Sequence, residues 1–172
     1  VNGHGQKSVA IKDETFTRDR IRVLEICSGI LRRGLNFLWS CDTRADSLDE
    51  EMFFMMRRAG CRRISLGVES GSPRILKNLN KQIALDDVRT ATATARKFGF
   101  QIRFYMIVGS PGETWRTLQE SIDFVAAAGP SEVLWNPFTL LPGTREFLRA
   151  QQAGEISPEL FFTEPFFEYI PL

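Results

Sequence analysis

Short apolar runs alternate along the chain with stretches whose apolar residues recur every three or four positions, in a unit of about 25–35 residues. Residues 8–12 read as a strand. Thr17 is then expected to cap a helix carrying Ile21, Leu24, Cys27 and Leu31 and closed by Gly34. Residues 36–41 form the next strand. Ser47 to Glu50 has the form of a capping box ahead of a helix with Met52, Met55 and Met56, stopped at Gly60. Residues 62–67 read as the third strand, and Ser72-Pro73 opens a short helix. A longer helix runs over 85–98 and ends at Gly99. Residues 100–108 are the fourth strand, and Thr114 starts a helix with Leu118, Ile122 and Val125 on one face. Residues 133–138 are the fifth strand, and a last helix begins near Thr144. Five β–α units with crossovers of this length predict an α/β fold with a parallel sheet. One domain is expected over 1–156. The Phe- and Pro-rich tail, 157–172, has no clear period; it either packs over a barrel mouth or dangles.

Charge and composition then narrow the function. Lys+Arg 22 against Asp+Glu 21 leaves a net charge of +1, so no basic field argues for nucleic acid. No apolar run is long enough for a membrane span, and no signal-like segment opens the chain, so the cytoplasm is expected. The single histidine, His4, and three scattered cysteines support neither a zinc site nor a Ser-His-Asp triad. Chemistry, if present, comes from a cofactor acting on a small-molecule substrate. A strand of five or six residues spans about 17–20 Å, so Cys41 and Cys61 are expected at opposite ends of the sheet, unable to share a metal. With Cys27 they read as small buried hydrophobes.

Parallel α/β folds bind ligands beyond the carboxyl ends of their strands. Those ends hold Asp13-Glu14-Thr15-Phe16, Asp42-Thr43-Arg44, Glu69-Ser70-Gly71, Gly109-Ser110-Pro111-Gly112 and Leu141-Pro142-Gly143. The opposite turns are plain. Gly67, Gly71, Gly109 and Gly112 would let backbone approach a flat base or ribose, and Asp13 and Glu69 would accept hydrogen bonds from hydroxyls or an ammonium group. Other readings stand beside these: Asp13 satisfying a turn, Arg44 in a loop ion pair, and 109–112 as a tight turn. A nucleoside-like ligand fits the pattern, and so does an α/β module that only binds a nucleotide or acidic metabolite. A barrel lyase would need a Schiff-base lysine or paired carboxylates at a strand end, and no strand here ends in such a lysine.

Taken in order, Asp13-Glu-Thr-Phe-Thr17, Trp39-Ser-Cys-Asp-Thr-Arg44, Ala59-Gly-Cys-Arg-Arg-Ile64, Gly67-Val-Glu-Ser-Gly71, Leu79-Asn-Lys81, Ile107-Val-Gly-Ser-Pro-Gly-Glu-Thr114 and Leu141-Pro-Gly-Thr144 resemble the radical S-adenosylmethionine (SAM) superfamily. The resemblance covers about residues 8–150. It is narrower to the branch whose members carry a cobalamin-binding domain, as in magnesium-protoporphyrin cyclase. It implies a partial (β/α) TIM-like barrel with a curved parallel sheet, cut before the first strand. It also implies a 4Fe-4S cluster on a CxxxCxxC loop that this chain lacks and that would lie upstream of Val1. The chemistry implied is reductive cleavage of SAM to a 5′-deoxyadenosyl radical, or methyl transfer with cobalamin, oxidative cyclisation or tRNA methylthiolation. The chain alone would then be inactive.

By the same resemblance, Asp13, Glu14, Thr15 and Phe16 would receive the methionine amino group, and Glu69 and Ser70 would lie at the ribose. Lys81 would meet the SAM carboxylate, Ile107 and Gly109 the adenine, with Arg44 and Pro142 on the same rim. Tyr105 stands where relatives place a ribose-binding carboxylate. Strand 8–12 would lack a neighbour on one side. It is expected to pair with a second copy, be covered by the tail or fray, and an ordered, uncovered strand there would count against a cut barrel.

Overall fold

Strands laid down in chain order with right-handed crossovers must return over one face of the sheet, which curls the sheet away from its helices. The computed structural model describes residues 7–156 and has this arrangement. The parallel strands are β1 (Ser8–Ile11), β2 (Leu38–Thr43), β3 (Cys61–Glu69), β4 (Gln101–Val108) and β5 (Glu132–Pro137), neighbours in that order. The helices are α1 (Arg20–Arg32), α2 (Glu50–Arg58), α3 (Pro73–Asn78), α4 (Leu85–Lys97), α5 (Trp115–Ala128) and α6 (Arg145–Gln152). The tail lies outside the described residues. No described helix is long and apolar enough to cross a membrane.

Register assigns the two faces. Cys41 pairs with Ile64 and Thr43 with Leu66, while Ile64 pairs with Ile102 and Leu66 with Phe104. These rows are buried under Val23, Phe53, Met56, Val88, Ala95 and Phe124 from the helices. The intervening rows, Ser40–Arg63–Gln101 and Asp42–Ser65–Arg103–Glu132, fall on the concave face. Burying the convex rows at roughly 1.5–3 kcal/mol per large side chain is what fixes register, because a one-residue slip would put Arg63 and Arg103 into the core.

Several local expectations are corrected. Asp19, not Thr17, caps α1 by accepting from the Arg22 N–H at 3.0 Å; the Thr17 hydroxyl bonds those of Thr43 and Ser47 instead. Ile21 is 69% exposed, and α1 buries Val23 and Cys27. Asp49, not Ser47, caps α2 through the Met52 N–H at 2.8 Å. On α5 the residues facing the core are Thr117, Ser121, Phe124 and Ala128. Leu118, Ile122 and Val125 do share one face, which lines an open apolar groove with Val108, Ala126 and Trp135; of the three, Val125 also packs against the core.

The cysteine geometry is also overturned. β2 continues to Thr43, so Cys41 sits mid-strand, and Cys61 pairs with Trp39 only two residues below it. Cys27, Cys41 and Cys61 thus fall in one buried core cluster. Burial pushes the Cys27 thiol up to about 11 and that of Cys61 up as well. β1 is ordered although only β2 pairs with it and its first three residues are exposed. Fraying is therefore excluded as the resolution of that edge. Four register pairs and the Lys12–Asp42 ion pair at 3.2 Å hold the strand from one side, and cover by the tail lies outside the described residues.

Two glycines give opposite stability predictions. A Cβ on Gly71 would lie 2.6 Å from the Phe124 Cβ and 2.7 Å from the Ser121 Cα, whereas one on Gly29, within α1, meets nothing within 4 Å. Gly71→Ala should lower unfolding free energy by about 1–3 kcal/mol, and Gly29→Ala should raise it by roughly 0.5–1 kcal/mol. Urea unfolding midpoints of the two variants check both signs.

Candidate functional site

At the carboxyl end of β3 the chain adopts a conformation that ordinary side chains avoid. Glu69 has φ 68°, which costs a non-glycine residue roughly 1–2 kcal/mol. The turn is closed by the Ser70 N–H donating to the Val68 carbonyl at 2.9 Å. It throws the Glu69 carboxylate back over the sheet, where Lys81, on the loop after α3, meets it at 2.9 Å. Both side chains are about one-fifth exposed. A Cβ on Gly67 would stand 2.8 Å from Glu69 Oε1 and 3.2 Å from Lys81 Nζ. Gly67 thus makes room for this ion pair, not for a ligand. Backbone strain held by surrounding contacts is a mark of function.

The pair continues into the loop after β2. Arg44 bonds Asp46 through Nε at 3.0 Å and Nη2 at 2.7 Å, and its guanidinium also donates to the Gln82 carbonyl. The Arg44 guanidinium, and behind it the Lys81 ammonium, hold the Asp46 carboxyl below its ordinary value. Arg44 is therefore the loop ion pair that the sequence left open, and it braces the segment that carries Lys81. On the concave face of β4, Tyr105 pairs with Gly67 and Ile107 with Asn136, both half-buried. Arg44, Glu69, Lys81, Tyr105 and Ile107 are brought together on one stretch of rim.

The remaining candidates separate from that stretch. Ser70 is fully buried; its hydroxyl bonds that of Ser121 at 3.0 Å and accepts from the Ser72 N–H at 3.1 Å, so it anchors the loop to α5 and faces no ligand. Phe16 is a core residue, edge-on to Trp39 with ring centroids 5.5 Å apart. Asp13 binds Arg22 at 2.7 Å and accepts weakly from Thr15, and the Arg22 hydrogen bond holds its carboxyl below the ordinary value. Asp13 and Thr15 border a shallow cleft with Arg18 and Arg20, while Glu14 is exposed. Gly71 is needed for packing on α5, as above. Pro142 is an exposed turn residue just before Thr144, which caps α6.

Beyond β4, Gly109 has φ 78°, open space over its Cα, and an N–H that donates to Glu113 Oε2 at 2.5 Å. Next to it the buried Ser110 Oγ and Glu113 Oε1 have no hydrogen-bond partner. Each such atom costs about 1–3 kcal/mol unless something binds it. They border a cleft of about 770 Å³ closed by Asn78, Arg145 and Arg149. Sequence reasoning placed Ser110 and Glu113 at this strand end without assigning either a role, and missed Asp46 and the α6 arginines. Only the Arg44–Asp46 spacing carried a local signal.

A curled half-barrel of five parallel strands, with polar groups gathered at its strand ends, defines a partial α/β barrel protein. The chain belongs to the radical SAM superfamily, whose family pattern it matches over residues 11–125. It is 32% identical over 142 residues to an uncharacterized methyltransferase of Pyrococcus horikoshii, covering 83% of this chain and 31% of that protein. It is 28% identical to the anaerobic magnesium-protoporphyrin IX monomethyl ester cyclase of Rubrivivax gelatinosus, covering 83% and 26%. The radical SAM methyltransferase TsrM of Kitasatospora setae, solved with cobalamin and a [4Fe-4S] cluster, superposes with a TM-score of 0.80 at 20% identity, covering 91% of this chain and 33% of that one. Coproporphyrinogen III oxidase of Escherichia coli gives 0.71 at 18%, covering 85% and 34%. The chain spans about a quarter to a third of these proteins.

The residues fit a SAM molecule: an acceptor and a cation at the rim, an uncluttered glycine beside them, and polar atoms without partners. They do not fit an iron–sulfur cluster. Among the described residues no group of three His, Cys, Asp or Glu side chains could hold a metal, and the three thiols are buried. Iodoacetamide at pH 8 should therefore leave the native chain unlabelled and modify three cysteines after denaturation, as mass spectrometry would show. Rapid native labelling would contradict the buried placement.

Proposed function

We propose that this chain is the SAM-cradling part of a radical SAM enzyme, in the branch that transfers methyl groups with the help of cobalamin. The observation that carries the proposal is Glu69, held in a left-handed conformation at the end of β3 and tied to Lys81. Glu69 would accept hydrogen bonds from the ribose hydroxyls, and Lys81 would meet the SAM carboxylate. Tyr105 and Ile107 would supply the wall beneath, with Gly109 admitting the adenine edge. Arg44 and Asp46 keep the Lys81 loop in place, so only the Glu69–Lys81 pair has to be shared on binding and the loop need not move. The 4Fe-4S cluster, when bound, supplies the one-electron reduction that cleaves SAM; its thiolate ligands would come from residues other than those described here. The methyl-transfer reading draws on the Pyrococcus and Kitasatospora methyltransferases and on the cobalamin in the latter.

Titration calorimetry of SAM into the chain is the direct test. Glu69→Gln and Lys81→Met should each weaken binding about tenfold to a hundredfold, the worth of one charge-assisted hydrogen bond at roughly 1.5–3 kcal/mol. Equal affinity in Glu69→Gln and wild type would remove the ribose assignment. Anaerobic reconstitution should give no stoichiometric iron and sulfide on this chain and no SAM cleavage. A bound cluster would mean that its buried thiols had rearranged.

A further inference from the structure

The concave face holds a second polar constellation near the starts of the strands, two rows below Tyr105 of the rim, with the Ser65–Arg103 row between. Ser40, Arg63 and Gln101 are register partners across β2, β3 and β4, on the face opposite the buried Cys41–Ile64–Ile102 row. They border a cleft of about 240 Å³ with Ser8, Ala10 and Leu38. The ionic pairing around them is unequal. Lys12 is matched by Asp42 at 3.2 Å. Glu132 is the single carboxylate for two guanidiniums, and it is taken by Arg103, whose Nε and Nη2 reach the same Oε2 at 2.9 and 2.7 Å. Arg63 approaches that oxygen only to 3.6 Å, beyond hydrogen-bonding distance, and its side chain is 38% exposed. Arg62 adds a further positive charge at the cleft, though its Nη1 is turned to the Arg57 and Cys61 carbonyls at 3.0 Å. A planar donor fork is thus left with unspent hydrogen bonds and surplus charge inside a curved sheet. Neutral donors stand one strand away on each side, at about 4.8 Å spacing.

We infer that the Ser40–Arg63–Gln101 row binds the carboxylate of an acidic small-molecule substrate, with Arg63 as its fork and Ser40 and Gln101 as flanking donors. Arg103 is a positioning residue: it occupies Glu132, and so keeps that carboxylate from saturating Arg63. A substrate anchored here would extend upward to the SAM rim, past the Ser65–Arg103 row and then Tyr105. That the bound acid is a substrate rests on the reading of the rim given above. The anion site itself does not, because it can be measured without SAM or iron.

The test is a ¹H–¹⁵N NMR titration of the full chain with sodium propionate, with sodium phosphate and sodium chloride at matched ionic strength as the other arms. Propionate should shift the Ser40, Arg63 and Gln101 amides saturably. Arg63→Met should weaken this at least about tenfold, as expected for loss of a charge-assisted bidentate contact. Glu132→Gln should strengthen it, since it removes the competing carboxylate. Opposite signs in two variants with wild-type unfolding midpoints cannot come from general destabilisation. Equal shifts with chloride, or indifference to Arg63→Met, would overturn the site. Phosphate binding tighter than propionate would overturn the carboxylate assignment. Neither result would touch the Glu69 measurement, and loss of SAM binding would leave this one standing.

Discussion

Every feature of the molecule depends on the row-by-row alternation of a parallel sheet whose crossovers all return over one face. Ile64, Leu66, Ile102 and Phe104 face that side and are buried, so their neighbours Arg63, Ser65, Arg103 and Tyr105 must face the hollow. In a sheet covered on both faces the two arginines would be buried charges needing full compensation, each with a desolvation penalty of several kcal/mol. In a half-barrel they can stay part-solvated and chemically available. The curl of the sheet gives this chain a polar interior without an unstable core.

The rim shows how close packing and chemistry are reconciled. Two glycines do different work there. Gly67 leaves room for the Glu69–Lys81 pair, and Gly71 lets the following loop touch the backbone of α5. That contact requires small residues on the core face of the helix, which is why Thr117 and Ser121 face inward; the Ser121 hydroxyl accepts from the Gly71 N–H and donates to the Thr117 carbonyl. The strain at Glu69 persists because Ser70, Gly71 and Ser72 are fastened on the far side. A looser loop would let Glu69 relax into extended backbone and carry its carboxylate away from Lys81.

The order of elements and the functional end of the sheet were legible in the sequence because they depend on strong, repeated signals: apolar runs, helix periodicity, and polar residues gathered at one set of strand ends. What failed depended on competition between neighbouring residues. Thr17 and Asp19 are both plausible caps, and Thr17 loses because its hydroxyl is needed by Thr43 and Ser47 across the sheet. α5 has two stripes that could face inward, and its more apolar one loses to the small stripe that the Gly71 contact demands. Cys41 was misplaced because strand ends are set by hydrogen bonding to the next strand, and two extra residues on β2 brought it beside Cys61. Among the site residues, Glu69 and Lys81 could be linked only through a resemblance, since twelve positions separate them with α3 between. Ser70 and Phe16 shared the right segments yet point away from any ligand.

The same alternation divides the hollow by height. At the strand ends, groups come from the last strand residue and the loops: Glu69 closing β3, Lys81 after α3, Gly109 and Ser110 after β4. In the two rows further down they come from strands, Arg103 in the upper and Arg63 with Gln101 in the lower, all held by register. Loop groups can be rebuilt one at a time while the sheet stays intact, but strand groups move only with their neighbours. A cofactor that many related barrels share and a substrate peculiar to each would impose opposite demands on such a scaffold. Here the rigid row carries unspent charge, Arg63 near a carboxylate already taken, whereas the rim charges Glu69 and Lys81 neutralise each other. A ligand at the rim must therefore displace or share an existing ion pair, while one on the lower row meets donors that are already open. Discrimination between acidic and neutral ligands belongs to the lower row.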